Sequence, residues 1–135
     1  MKPIGLHHVG LVVPSERLAG SLMALLGLEE THRGFVESYG ALCIFTRAGD
    51  GSHIELVVPT GGPLARFNKG LGGLHHIALA VESITEVARE LDARGMKLLE
   101  DAPIRGAGDF LCNFLPPAHT RGVVRVEFVQ ELSRE

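Results

Sequence analysis

The sequence predicts an α+β fold, a single domain over residues 1–135 built from two copies of one β-α-β-β-β unit. Three observations predict it. The chain repeats itself, each copy holds a helix with matching start and stop signals, and each copy closes on a strand carrying one Glu. At 135 residues the chain suits one domain rather than two, and 45% hydrophobic residues suffice for a real core.

The repeat opens each copy. Residues Leu6 to Ser15 read LHHVGLVVPS, and residues Leu74 to Ser83 read LHHIALAVES, 68 positions later. Leu, His, His, Leu, Val and Ser are identical in the two. The glycines that end the helical patterns, Gly27 and Gly95, keep the same spacing. The closing strands place Glu55 and Glu127 at a spacing of 72, so the loops differ by a few residues. The repeats span 4–59 and 74–130, joined by a Gly- and Pro-rich linker at 60–73.

Ile4 to Val13 and Leu74 to Val81 read as strands, short and rich in β-branched residues and Leu. Ser15 can cap the first helix, whose apolar stripe reads Leu18, Leu22, Leu25, Leu26. Ser83 to Glu86 has the form of a capping box, with Ile84, Val87, Ala88 and Leu91 as the stripe behind it. Gly27 and Gly95 stand where a helix takes a left-handed residue. Further strands are expected at Glu29–Ser38, Ala41–Arg47 and Ser52–Pro59, and again at Lys97–Ala102, Phe110–Leu115 and Gly122–Gln130. Pro63 to Lys69 predicts a short linker helix with Pro63 near its start.

Strand alternation separates the paired histidines. His7 shares a face with Val9, Leu11 and Val13, and His75 with Ile77, Leu79 and Val81. Those large aliphatics must cover the helices. His8 shares its face with Gly10, and His76 with Ala78 and Ala80, residues that leave room beside them. Glu55 and Glu127 stand mid-strand among apolar neighbours, where a carboxylate is costly unless it is paired or coordinated. Two imidazoles and two carboxylates at repeat-related positions suit a borderline divalent cation such as Co²⁺, Ni²⁺, Zn²⁺, Mn²⁺ or Fe²⁺. His8, Glu55, His76 and Glu127 are therefore the expected metal ligands. His7 and His75 read as partly buried neighbours, and His32, His53 and His119 as peripheral, although His53 shares a face with Glu55.

Composition excludes other classes. The net charge is −3 and the 13 Lys and Arg are scattered, which argues against a nucleic-acid partner. No apolar run approaches the roughly 20 residues of a membrane helix. The start MKPIGLHH lacks a signal-peptide layout, so a cytoplasmic location is the default expectation. Cys43 and Cys112 read as buried small hydrophobes.

Paired βαβββ units with His, Glu, His and Glu on the inner face resemble the vicinal-oxygen-chelate superfamily, which includes glyoxalases, bleomycin-resistance proteins and dioxygenases. The resemblance covers nearly the whole chain. It implies a cup-shaped, mostly antiparallel eight-stranded sheet with helices outside, and a metal that binds adjacent substrate oxygens. Within the superfamily the chain is most similar to the methylmalonyl-CoA epimerase family. The similar stretches are Pro63 to Phe67, Gly72 to Ala78, Glu100 to Gly108, and Phe114 to Pro117 leading into Gly122.

That resemblance implies a metal-dependent isomerase that moves the proton α to a thioester carbonyl through a metal-stabilised enolate. Its partner is a small acyl-CoA or other thioester, and its assembly a homodimer. Glu127 is then one proton-transfer group. Some epimerases carry a second catalytic Glu on the strand that here reads Ala41 to Phe45. Cys43 stands near its place, and Glu37 is the nearest carboxylate. Two alternatives share the fold: a glyoxalase I-like lactoylglutathione lyase, and a non-catalytic small-molecule binding protein. An extradiol dioxygenase fits less well, because that chemistry uses two His and one carboxylate with open positions.

Overall fold

The computed structural model describes residues 2–132. Eight strands join in one mixed, mostly antiparallel sheet in the order β2-β3-β4-β1-β5-β8-β7-β6. The chain forms two compact units. The first is His8–His75; the second takes the residues up to His7 and those from His76 onward. The division falls inside the first strand of each repeat rather than in the linker. Among the described residues no helix is long and apolar enough to cross a membrane.

In the first repeat β1 (Gly5–Val12) leads to α1 (Glu16–Leu26), β2 (Glu29–Val36), β3 (Ala41–Arg47) and β4 (His53–Pro59). β1 lies parallel to β4, and β3 runs antiparallel to both β4 and β2. The Ser15 hydroxyl accepts the Leu18 N–H at 3.1 Å, closing the helix start. Gly27 ends it in the left-handed conformation, with its N–H on the Met23 carbonyl.

The predicted stripe of α1 is corrected. Ala19 is the buried residue, packed with Val13, Ile44, Leu56 and Val58, while Leu22 and Met23 flank it. Leu18, Leu25 and Leu26 are exposed. The helix packs on the sheet through a small residue, an alanine. Counting leucines at helical spacing favoured a face rotated away from that contact. On the other side Arg33 of β2 holds Glu16 of α1 at 2.8 Å and Glu30 through two bonds at 2.7 Å. The hydrogen bonds from Arg33 keep the Glu30 carboxyl below its ordinary range.

After β4 the linker turns through α2 (Gly62–Ala65), with Pro63 in its first turn, and a 3₁₀ turn at Phe67–Gly70. The single linker helix expected over Pro63 to Lys69 is thus broken in two. Asn68 and Lys69 take left-handed backbone angles there.

The second repeat follows the same plan with β5 (Gly73–Ala80), α3 (Ile84–Asp92), β6 (Ile104–Arg105), β7 (Phe110–Leu115) and β8 (Arg125–Glu131). β5 pairs parallel with β8, and β7 antiparallel with β8 and β6. Ser83 caps α3 by accepting the Glu86 N–H at 3.2 Å. The Glu86 side chain turns to Arg89 instead of completing the box. The Gln130 side chain adds a second cap, accepting the Ile84 N–H at 2.9 Å. Ile84, Val87 and Leu91 pack on Val126 and Phe128 as the helical spacing predicts.

The strand expected at Lys97–Ala102 is absent, and the edge strand is the two-residue β6 at Ile104–Arg105. Here a side chain replaces the ladder. The buried Asn113 amide accepts the Glu100 N–H and donates to the Glu100 carbonyl, both at 3.0 Å. Leu99 bonds β7 backbone to backbone, its N–H donating to the Phe114 carbonyl at 2.8 Å. Replacing Asn113 by Ala should therefore leave two backbone groups unpaired and cost about 1–3 kcal/mol. Urea unfolding measures it, and an unchanged midpoint would show that the loop holds without the clamp.

Candidate metal centre

Each unit builds one imidazole–carboxylate pair, and the two pairs are made the same way. In the first unit the register sets Gly10 opposite Glu55 across β1 and β4, and Phe45 opposite Glu55 across β3 and β4. The glycine leaves the width of a side chain beside the carboxylate. His8 occupies it: His8 Nε2 lies 3.1 Å from Glu55 Oε1. The Phe45 ring meets the His8 ring edge-on, with centroids 5.1 Å apart. That contact, worth about 0.5–1.5 kcal/mol, fixes the ring plane of the imidazole.

In the second unit Ala78 stands opposite Glu127 across β5 and β8, and Phe114 opposite Glu127 across β7 and β8. His76 Nε2 lies 3.2 Å from Glu127 Oε1, and the Phe114 ring meets the His76 ring edge-on at 5.3 Å. All four polar residues are buried. Alternation along the strands thus separated His8 from His7 and His76 from His75 correctly. The aliphatics on the opposite face, Leu11 and Val13, pack with α1, and Ile77 and Leu79 with the cluster under α3.

The donor chemistry fits a borderline divalent cation. Neutral imidazole nitrogen and ionised carboxylate oxygen are its ordinary ligands. In each pair the two donor atoms lie close together, 3.1 Å apart in one and 3.2 Å in the other, and burial removes water as a competitor. A buried carboxylate also gains most from a nearby positive charge.

Other sequence candidates lie elsewhere. His7 Nε2 meets Glu131 Oε1 at 2.6 Å and its ring tilts against Phe110. His75 meets Phe67 edge-on, and His32 stacks on Phe45 at 4.7 Å. His119 is exposed in a 3₁₀ turn. Glu37 begins the exposed 3₁₀ turn between β2 and β3. Phe45 and the first residue of β3, Ala41, are four residues apart, so that turn stands about 13 Å along the strand from the Glu55 row. Glu37 is not beside the pair in its own unit. Cys43 and Cys112 are buried and free of disulfides, as expected.

Phe45 and Phe114 escaped the reading of the sequence. Their signal was present: they are 69 residues apart, the same spacing as Cys43 and Cys112. Only the partner strand's register reveals that a phenylalanine in a hydrophobic run touches a polar residue.

Fold and pairs together define a duplicated βαβββ protein with one buried His–Glu pair per copy. The chain belongs to the Glyoxalase/Bleomycin resistance protein/Dioxygenase superfamily, which it matches over residues 7–114. Among its relatives is the Bacillus subtilis protein YqjC, described as uncharacterized, 32% identical over 88% of this chain and 87% of that one. Human mitochondrial methylmalonyl-CoA epimerase is 30% identical over 88% of this chain and 70% of its own length. Methylmalonyl-CoA epimerase from Mycobacterium tuberculosis superposes with a TM-score of 0.88 at 24% identity, covering 97% of this chain and 90% of that one, a likeness of fold.

Proposed function

We propose that His8, Glu55, His76 and Glu127 hold one divalent metal, of the Co²⁺, Ni²⁺, Zn²⁺ or Mn²⁺ kind, and that the chain is an epimerase of the methylmalonyl-CoA type. The observation that carries the metal is the duplicated pair. One imidazole and one carboxylate are too few ligands for a stable site, and two such pairs supply four, a group able to hold one ion. The similarity to human methylmalonyl-CoA epimerase supports the substrate.

A C–H beside a thioester carbonyl is weakly acidic because its conjugate base puts negative charge on oxygen. A divalent cation supplies positive charge where that charge develops. The protein supplies the rest. Buried strands exclude water, Phe45 and Phe114 fix the imidazoles, and in this reading Glu127 accepts or donates the C2 proton. The test is ¹H NMR of racemic methylmalonyl-CoA in D₂O with Co²⁺-loaded protein. Loss of the C2 proton signal is expected. One bound metal per chain with no exchange would remove the epimerase reading and direct the search to hemithioacetals.

Inversion needs a second proton carrier on the opposite face of the planar intermediate, and the sequence offers Glu37 for it. Its turn is exposed and stands about 13 Å along the strand from the Glu55 row, so Glu37→Gln should slow deuterium exchange less than tenfold. A loss of 100-fold or more, the size typical of a positioned general acid or base, would instead show that the turn folds over the substrate.

A further inference from the structure

Beside His8 runs a row of polar residues that the metal chemistry does not use. Cα register pairs Glu29 of β2 with Arg47 of β3, Arg47 with His53 of β4, and His53 with His8 of β1. Directly paired residues share a face. Arg47 is also two positions from Phe45, whose ring touches His8. The opposite face of β3 belongs to the helix side: Leu42 and Ile44 pack in the core under α1, and the Thr46 hydroxyl donates to the Ile54 carbonyl at 2.9 Å. Arg47 therefore lies on the ligand face, two strands from His8, about 10 Å between Cα atoms and within reach of a long side chain.

The guanidinium is under-used. Its Nη2 donates to Glu29 Oε1 at 3.1 Å, and that Glu side chain is 72% exposed. Such a pair contributes little. Arg47 Nε is buried without a hydrogen-bond partner. Other cations are better satisfied: Arg33 by Glu16 and Glu30, Arg105 by Asp109 and the Gly108 carbonyl. An arginine on the ligand face, held loosely by one exposed carboxylate, is built to exchange that carboxylate for another.

We infer that Arg47 is a specificity-determining residue that leaves Glu29 to bind the carboxylate of the substrate's acyl group, selecting α-carboxylated acyl thioesters over plain ones. This rests on the thioester reading above. The second unit has no counterpart, since Pro116 and not a cation follows Leu115 at the end of β7. The acyl carboxylate is therefore taken from the first unit's side.

The experiment is calorimetric titration of Co²⁺-loaded protein with malonyl-CoA, propionyl-CoA and free malonate, for the natural chain, Arg47→Met and Glu29→Gln. The natural chain should prefer malonyl-CoA to propionyl-CoA. Arg47→Met should weaken malonyl-CoA and malonate about 10- to 100-fold and leave propionyl-CoA unchanged. Glu29→Gln should tighten malonyl-CoA a few-fold, because it frees the guanidinium. A preference that survives in Arg47→Met overturns the inference and leaves the thioester reading standing. Binding of neither thioester by the natural chain defeats the thioester reading itself. Free malonate then decides: binding that needs Arg47 keeps the carboxylate site, and binding that ignores it, or none, removes it. Should Arg47→Met fail to fold, Arg47→Lys serves, since it keeps the charge, loses the fork and should lower the preference partially.

Discussion

Glu127→Gln should slow exchange of the methylmalonyl-CoA C2 proton with D₂O by 10²- to 10⁴-fold at full metal occupancy, the range that a positioned general acid or base supplies. Glutamine has the same shape, so packing around Phe114 and Ala78 is kept and the melting temperature should hardly move. The difficulty is that Glu127 is also a proposed metal ligand, so lost turnover alone would not separate the roles. The repeat supplies the control. Glu55 is buried as Glu127 is, lies 3.1 Å from its own histidine against 3.2 Å, and has a phenylalanine and a small residue in the same register positions. If both carboxylates only hold metal, Glu55→Gln and Glu127→Gln should lose metal and turnover alike. If Glu127 also moves the proton, its variant should be worse at equal metal content, which metal analysis beside the NMR assay measures. Equal rates at equal occupancy would assign the proton to another group.

Much of this was legible because a duplication makes independent signals agree. A strand with period two has only two faces, and in both copies one carried the large aliphatics while the other carried Gly10 or Ala78. The histidine on the bare face had to be the polar one, and His8–Glu55 and His76–Glu127 follow. What escaped depends on partners distant in sequence. The α1 stripe failed because Ala19, the residue nearest the sheet, counts for little in a hydrophobic tally. The strand at Lys97–Ala102 failed because Asn113 satisfies Glu100 from β7. The row Glu29–Arg47–His53–His8 crosses four strands, and a bulge between Glu30 and His32 resets the faces of β2 within it. No local pattern reveals such a row.

Gly72→Ala should be the most destabilising substitution at any single glycine of the linker. The residue sits at φ +76, where an L side chain is strained by about 1–2 kcal/mol. Conformation is the smaller part. A Cβ there would run into the Val12 carbonyl and crowd the Pro14 ring, both parts of a backbone held by β4, since Val13 donates to the Val57 carbonyl at 2.8 Å. Neither can yield as the end of a flexible side chain would. Gly72 is itself tied down, because Asn68 Nδ2 donates to its carbonyl at 2.7 Å and its N–H reaches Phe67. Overpacking against rigid backbone adds about 1–3 kcal/mol, for a total of about 2–5 kcal/mol in urea unfolding. Gly27→Ala isolates the first term: its φ is +68, yet nothing lies within 4 Å of its added Cβ. It should lose only the conformational part. A Gly72→Ala loss no larger than that of Gly27→Ala would mean that β1 can move away from the linker, and that the collision with Val12 does not set the position of the linker.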